Sequence, residues 1–405
     1  MKTPLAWRNL VHNRVRTLVA IAGVGFAVVL MFMQMGFRGG IEKTATQIFD
    51  AMDFDLMLRS PAYLFLTDPR TFPRERLYQA ASLPEVAAVR PLYLGMTQWQ
   101  RPQPASVPPD GWDGEWRGII AMATDPTDPA FLPEEIRTKA RLLVNPRYVL
   151  MDRKSKPEYG PRNGVGFGAD DIGVVASLGE GRFEIVETFQ LGTGLASNGA
   201  CLTNLEGFAA SCYWQPLADV NFGLVKLRPG ADLRAAQERL TRLLGAPDAA
   251  SQVTAAPADV EVLTRGAVNA REKQRWVHET PLGQIFNLGV WVALLVGVAI
   301  VYQVLSSDIA NMIGEYATLK AMGYSNGYLT SVVLNQSLLL ALVGYLPSLA
   351  ASWGLYEVVE YQSGMPMEMT VRIAAWVAAL TVAMCVLSGI AALRKLFQAD
   401  PADLF

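Results

Sequence analysis

Charge is scarce in this chain. Asp, Glu, Lys and Arg make up 18% of its 405 residues, against about 25% in ordinary globular chains. Cations and anions nearly balance, 35 against 37, so no basic surplus points to nucleic acid. Histidine occurs twice, as His12 and His278, and neither stands at metal-ligand spacing from another donor. No GxxxxGKS/T occurs, so the chain has no P-loop of its own, and no GxSxG elbow offers an acyl-transfer nucleophile. Gly164-Val165-Gly166-Phe167-Gly168 imitates a phosphate loop but lacks the lysine and a strand-to-helix setting; it reads as a flexible loop. Asp170 and Asp171 beside it read as solvated loop carboxylates rather than an acid–base pair. No catalytic residue, metal site or cofactor site of this chain is expected.

What the sequence has instead is apolar mass, at 51% of residues with a mean hydropathy of +0.21. It is concentrated in four stretches without a charged residue, at 17–37, 280–307, 321–356 and 373–393. A bilayer core of roughly 30 Å needs about 20 apolar helical residues, and each stretch reaches that. The third opens with Gly323, Ser325, Asn326 and Gly327, so its span is expected to begin near Leu329. The first stretch follows Lys2, Arg8, Arg14 and Arg16, as a signal peptide would. It is too long for an h-region and has no small-x-small site at Gly36-Phe37-Arg38, so an uncleaved helix is expected. Within the spans the polar residues are Gln34, Asn287, Gln303, Asn335 and Gln336, none of them charged, which argues against ion-coupled transport.

Lys and Arg flank the spans unevenly. Four precede the first span and Arg394 and Lys395 follow the last, whereas the connection 357–372 has Arg372 alone and three glutamates. By the positive-inside rule both termini and the 307–328 loop face the cytoplasm. The expected layout is an amphipathic cytoplasmic helix (1–16), TM1 (17–37), an extracytoplasmic domain (38–280), TM2 (281–306), a cytoplasmic segment (307–328), TM3 (329–356), a short outer loop (357–372), TM4 (373–393) and a cytoplasmic tail (394–405).

The long insert mixes strand-like runs at 54–58, 87–94, 118–123, 183–190, 222–227 and 260–264 with helical stretches at 74–81, 133–140 and 233–244. This predicts an α+β domain. Pro and Gly crowd residues 101–114, an exposed loop. Cys385 falls mid-span and reads as packing. Cys201 and Cys212 fall in the insert, where an oxidising compartment permits a disulfide; a bridge and two free thiols both remain open.

The cytoplasmic segment reads Ser307 through Tyr324 as a partly amphipathic helix closed by Gly323. Its Glu315-Tyr316-Ala317-Thr318-Leu319-Lys320-Ala321-Met322-Gly323-Tyr324 run resembles the coupling segment of the FtsX-like, MacB-like permeases of ABC transporters. The opening Leu5-Ala6-Trp7-Arg8-Asn9-Leu10 and the tail Asp400-Pro401-Ala402 are similar to that family too. Leu150-Met151-Asp152-Arg153-Lys154-Ser155, followed by Tyr159-Gly160, resembles the DevC branch.

The resemblance implies a homodimer in the bacterial inner membrane, with a separate ABC ATPase subunit holding ATP and Mg on the cytoplasmic side. It implies mechanotransmission, in which ATPase closure moves the outer domain through the coupling helix. Glu315, Leu319, Lys320, Met322 and Gly323 would touch the ATPase, with Glu315 and Lys320 as polar contacts and Met322 as a groove anchor. A plain exposed helix face is the alternative for Glu315 and Lys320. The DevC branch implies a periplasmic adaptor (a membrane fusion protein), an outer-membrane channel and export of a lipid-like or amphiphilic compound. Relatives release lipoproteins or regulate a cell-wall hydrolase, and a signalling scaffold or an orphan sensor without an ATPase are the other readings.

Overall fold

The computed structural model describes residues 14–102, 114–192, 197–245, 259–314, 318 and 322–398. In chain order the elements begin with α1 (Arg14–Ala51), β1 (Leu56–Arg59), β2 (Phe72–Pro73), α2 (Glu75–Ala81), β3 (Val86–Gln100), β4 (Trp116–Ala123), α3 (Glu134–Ala140) and β5 (Tyr148–Asp152). There follow β6 (Val175–Leu178), β7 (Gly181–Phe189), β8 (Ala200–Thr203), α4 (Leu205–Ser211), β9 (Asp219–Val220), β10 (Phe222–Leu227), α5 (Leu233–Gly245), β11 (Glu261–Thr264) and α6 (Arg265–Gln274). The chain ends with α7 (Pro281–Asn311), α8 (Asn326–Ser363) and α9 (Val371–Gln398). Two compact units result: residues 43–275, and residues 1–42 with 276–405.

In the second of these, four helices are long and apolar enough to cross a membrane, over Thr17–Ala51, Pro281–Asn311, Asn326–Ser363 and Val371–Leu393. Helices suit that role because every interior backbone group is bonded within the segment. They overrun the charge-free stretches. Arg38 continues α1 by pairing with Glu42 one turn on, at 3.2 Å, and reaches Asn287 Oδ1 at 3.1 Å. α8 starts at Asn326, three residues before the expected Leu329, because the Ser325 hydroxyl caps it by accepting from the Tyr328 N–H at 3.4 Å.

Small residues let these helices approach closely. A Cβ added at Gly344 would lie 2.6 Å from Val24 Cγ1, and one at Gly297 would lie 2.9 Å from Ala27 Cβ while striking Met384 Sδ. Hydroxyls serve the backbone of their own and neighbouring helices. Ser348 Oγ lies 2.7 Å from the Gly344 carbonyl and 3.2 Å from that of Gly25, and Ser388 Oγ lies 2.8 Å from Met384 O and 2.9 Å from Val298 O. The buried Tyr356 hydroxyl donates to the Phe32 carbonyl.

The inserted unit is α+β, as expected. Its main sheet has nine strands in the order β11-β1-β10-β3-β4-β8-β5-β7-β6, and β6 also pairs with β3. That second pairing closes β3, β4, β8, β5, β7 and β6 into a ring, with β10, β1 and β11 laid along the first half of β3. β4–β8 and β5–β7 are parallel and the other pairs antiparallel. β3, the longest strand at 15 residues, serves both halves because its side chains alternate between two cores. Tyr93 and Trp99 enter one with Phe183 and Phe208; Leu92 and Leu94 enter the other with Phe189 and Phe222.

Buried charge in this unit is held by specific partners. Arg59 pairs with Glu261 at 2.6 Å and with Glu272 at 3.3 Å, and its guanidinium sits 4.2 Å from the centre of the Tyr63 ring. Asp152, in the stretch that resembled the DevC branch, accepts the N–H groups of Lys154, Leu191 and Gly192 at 3.0, 3.2 and 2.5 Å. It anchors the turn after β7. Asp171 corrects an expectation: it is buried rather than solvated, and accepts the N–H groups of Arg162 at 2.7 Å and Gly168 at 2.8 Å. The carboxylate closes the Gly-rich loop on itself, which is why it left the solvent.

Cys201 and Cys212 are both free thiols, so the bridge left open by the sequence is not formed. Cys201 lies in β8 and Cys212 just after α4, and both belong to the apolar core under Tyr93 and Trp99. There they pack as small hydrophobic groups. Burial pushes both thiols up, Cys212 to about 12. The amphipathic segment 1–13, most of the Pro- and Gly-dense stretch (103–113) and the 400–402 tail lie outside the described residues.

Candidate functional site

No group of His, Cys, Asp and Glu suited to a metal occurs among the described residues. The feature that stands out in the membrane unit is instead the connection from α7 to α8. α7 is closed at Met312, whose N–H lies 3.1 Å from the Asp308 carbonyl and 3.2 Å from that of Ile309. The Asp308 carboxylate accepts from the amide of Gln336 on α8, at 3.2 Å. Gln336 is buried. This bond joins the end of one helix to the early turns of the next, so the intervening segment leaves from a fixed base.

Bonds of helical spacing follow. Thr318 Oγ1 donates to the Gly314 carbonyl at 2.8 Å, and the Met322 N–H to the Thr318 carbonyl at 3.0 Å. Gly323 then takes φ +91°, a left-handed conformation that costs a residue without Cβ nothing, and the helix stops there. Ser325 opens α8 two residues later.

From Met322 to Tyr328 the side chains point away from any core. Met322 is 63% exposed, Tyr324 46% and Tyr328 38%. The two tyrosine rings lie 4.9 Å apart at 39°. Every residue from Met322 to Tyr328 is exposed. A thioether beside paired aromatic rings is an adaptable, weakly charged surface of the kind that fills a groove on another protein.

Of the residues expected at this site, Met322 is exposed and Gly323 takes the left-handed turn. Glu315, Leu319 and Lys320 lie outside the described residues. Sequence reasoning missed Tyr324 and Tyr328 as a stacked pair, although their spacing of four at a helix start was visible. It also missed the Asp308–Gln336 clamp, for which no local signal exists.

Residues 287–401 match the family model of the FtsX-like permease C-terminal domain, so the α7–α8 connection falls inside the matched stretch. The C-terminal part of the chain is thus similar to FtsX-like permeases. The whole chain has four helices long and apolar enough to cross a membrane and an α+β domain inserted after the first. Comparison with curated proteins gives no match. Among solved structures, the chain is similar to the periplasmic region of MacB from Actinobacillus actinomycetemcomitans, at 10% identity and a TM-score of 0.35, over 56% of this chain and 94% of that one. It is also similar to the extracellular domain of the noncanonic ABC-type transporter YknZ from Gram-positive bacteria, at 11% identity and a TM-score of 0.33, over 52% and 99%. Both likenesses are too distant to transfer a property to this chain.

Proposed function

We propose that this chain works with a separate ABC ATPase, which docks on the α7–α8 connection, and that it passes the ATPase's movement to the inserted domain. The observation that carries the reading is the exposed Met322–Tyr328 face, set on a clamped base and lying within the permease-matched stretch. Met322 would anchor in a groove of the ATPase, with Tyr324 and Tyr328 covering its rim. Glu315 and Lys320 would supply polar contacts, and Leu319 apolar area. ATP and Mg would be held by the partner.

In this reading the chain lies in the inner membrane as a homodimer, with both termini and the α7–α8 connection in the cytoplasm and the inserted domain outside. The excess of Lys and Arg beside the corresponding helix ends supports that orientation. The finer reading, supported by the stretch from Leu150 to Ser155, is a DevC-like exporter of a lipid-like or amphiphilic compound, working with a periplasmic adaptor and an outer-membrane channel.

Affinity purification of the detergent-solubilised chain, with ATPase assay of the eluate, tests the proposal. Wild type is expected to bring down an ATPase and an adaptor, and Met322→Glu to lose the ATPase while the helical content of the chain is unchanged. If the chain elutes alone, or only with a cell-wall enzyme, the exporter reading is wrong and a regulatory scaffold takes its place.

A further inference from the structure

The inserted domain contains a cleft of about 310 Å³ whose floor is a stretch of β3 paired along one edge only. One wall is the loop from Thr67 to Thr71 and the other is Trp214, Gln215 and Pro216, while Leu94, Gly95 and Met96 form the floor. The gap arises from topology. Along one side β3 pairs with β4 from Tyr93 to Gln100. Along the other it pairs with β10 only as far as Leu92, and with β6 only at Trp99 and Gln100.

Backbone parity tells which groups face the gap. In an antiparallel ladder the N–H and C=O of one residue point to the same side, and neighbours alternate. Leu94 donates its N–H to the Asn221 side chain at 2.9 Å, away from β4. Gln98 accepts on that same side, from the Gly179 N–H at 2.7 Å. Met96 lies between them and must face the same way. Among the described residues neither its N–H nor its C=O has a hydrogen-bond partner, and the Leu94 carbonyl has none either.

Asn221 explains why the gap stays open. It is buried and fully engaged: its Oδ1 also accepts from Gln215 Nε2 at 2.7 Å, and its Nδ2 donates to the Arg70 carbonyl at 3.1 Å. The amide holds the two walls apart at the point where β10 leaves β3. Arg70 is the single non-glycine residue with positive φ among the described ones, at +55°, a strain tolerated where surroundings enforce it. Trp214 is 51% exposed at the cleft, and Tyr213 beside it 67%.

We infer that this cleft binds an extended peptide segment of a partner protein, which adds a short strand to β3 at Met96 and lays a large apolar side chain on Trp214. A donor and an acceptor on one residue, spaced and aimed as a strand presents them, are met together by another peptide backbone in extended form. Of the charged residues in the lining, Arg70 and Asp68 pair with each other at 3.2 Å, and Asp219 is the third. Volume agrees, being at the small end for ligand clefts, which start at about 300 Å³. The inference concerns the inserted domain alone and does not depend on the ATPase reading.

The test is selection of a displayed library of random linear heptapeptides on the full chain in detergent. An enriched peptide is then synthesised, and its backbone nitrogens are methylated one at a time. The inference expects losses of about tenfold or more at alternating positions, a similar loss with Met96→Pro, a smaller one with Trp214→Ala, and slowed exchange of the Met96 amide when peptide is bound. The N-methyl series needs no variant chain, so it decides the matter even where Met96→Pro misfolds. No enrichment, or binding indifferent to the position of the methyl group, would overturn the inference.

Discussion

The membrane helices and the inserted domain solve the same problem, the burial of polar groups, by opposite means. In the helices the buried polar groups among the described residues are neutral, such as hydroxyls that lean on nearby carbonyls, as Ser348 and Ser388 do, and the Gln336 amide, and glycines set the spacing. In the inserted domain full charges are buried, and each is surrounded by partners: Arg59 by Glu261 and Glu272, and Asp152 by backbone N–H groups. Lipid cannot solvate a charge while the helices rearrange, so neutral contacts suit the first region. A sheet fixed by its own ladder can hold a charge pair, so the second can use one as a clasp between β1, β11 and α6.

If that contrast is right, the largest loss belongs to the clasp. Arg59→Met leaves two carboxylates without their cation and is expected to cost about 3–5 kcal/mol, the range for breaking a buried pair; chemical unfolding of the inserted domain's signal measures it. The same cluster sets a pH dependence. Burial raises the Glu272 carboxyl above its ordinary range, against the opposing pull of Tyr63, Arg59 and Arg275. A raised carboxyl contributes stability that is complete below the unfolded value of about 4.3 and is lost as pH rises through the folded value. Stability should therefore fall with rising pH over that window, and Glu272→Gln should flatten the slope.

On the membrane side, Gly297→Val drives a side chain into Met384 and Ala27 and is expected to cost about 1–3 kcal/mol by overpacking, read as a lowered Tm in detergent. Ser348→Ala removes one hydroxyl contact and should cost about 0.6 kcal/mol. A Ser348→Ala loss as large as that of Arg59→Met would erase the distinction between the two regions.

Legibility follows the range of the interactions. The four membrane helices could be read because absence of charge is a local signal. Their overruns could not, since Arg38 continues α1 by pairing with Glu42, and Ser325 starts α8 through its hydroxyl. In the inserted domain the strands at Gly181–Phe189 and Phe222–Leu227 were visible as apolar runs. β8 was not, because Ala200–Thr203 is four residues long with a single β-branched side chain and no aromatic one. Closure of the ring rests on Trp99 and Gln100 meeting Leu178 and Ser177, which no periodicity reveals. In the α7–α8 connection Gly323 was legible as a helix stop and Met322 as its neighbour. The clamp between Asp308 and Gln336 and the open edge at Met96 both depend on which strand or helix ends beside which.

The central claim, an ATPase seated on the α7–α8 connection, is tested most directly by placing a photo-crosslinking phenylalanine analogue at Tyr324 in cells and identifying what it captures. The account predicts a covalent adduct with a separate protein that carries a P-loop, lost when Met322 is also changed to Glu. Adducts only with lipid or with another copy of this chain would contradict it.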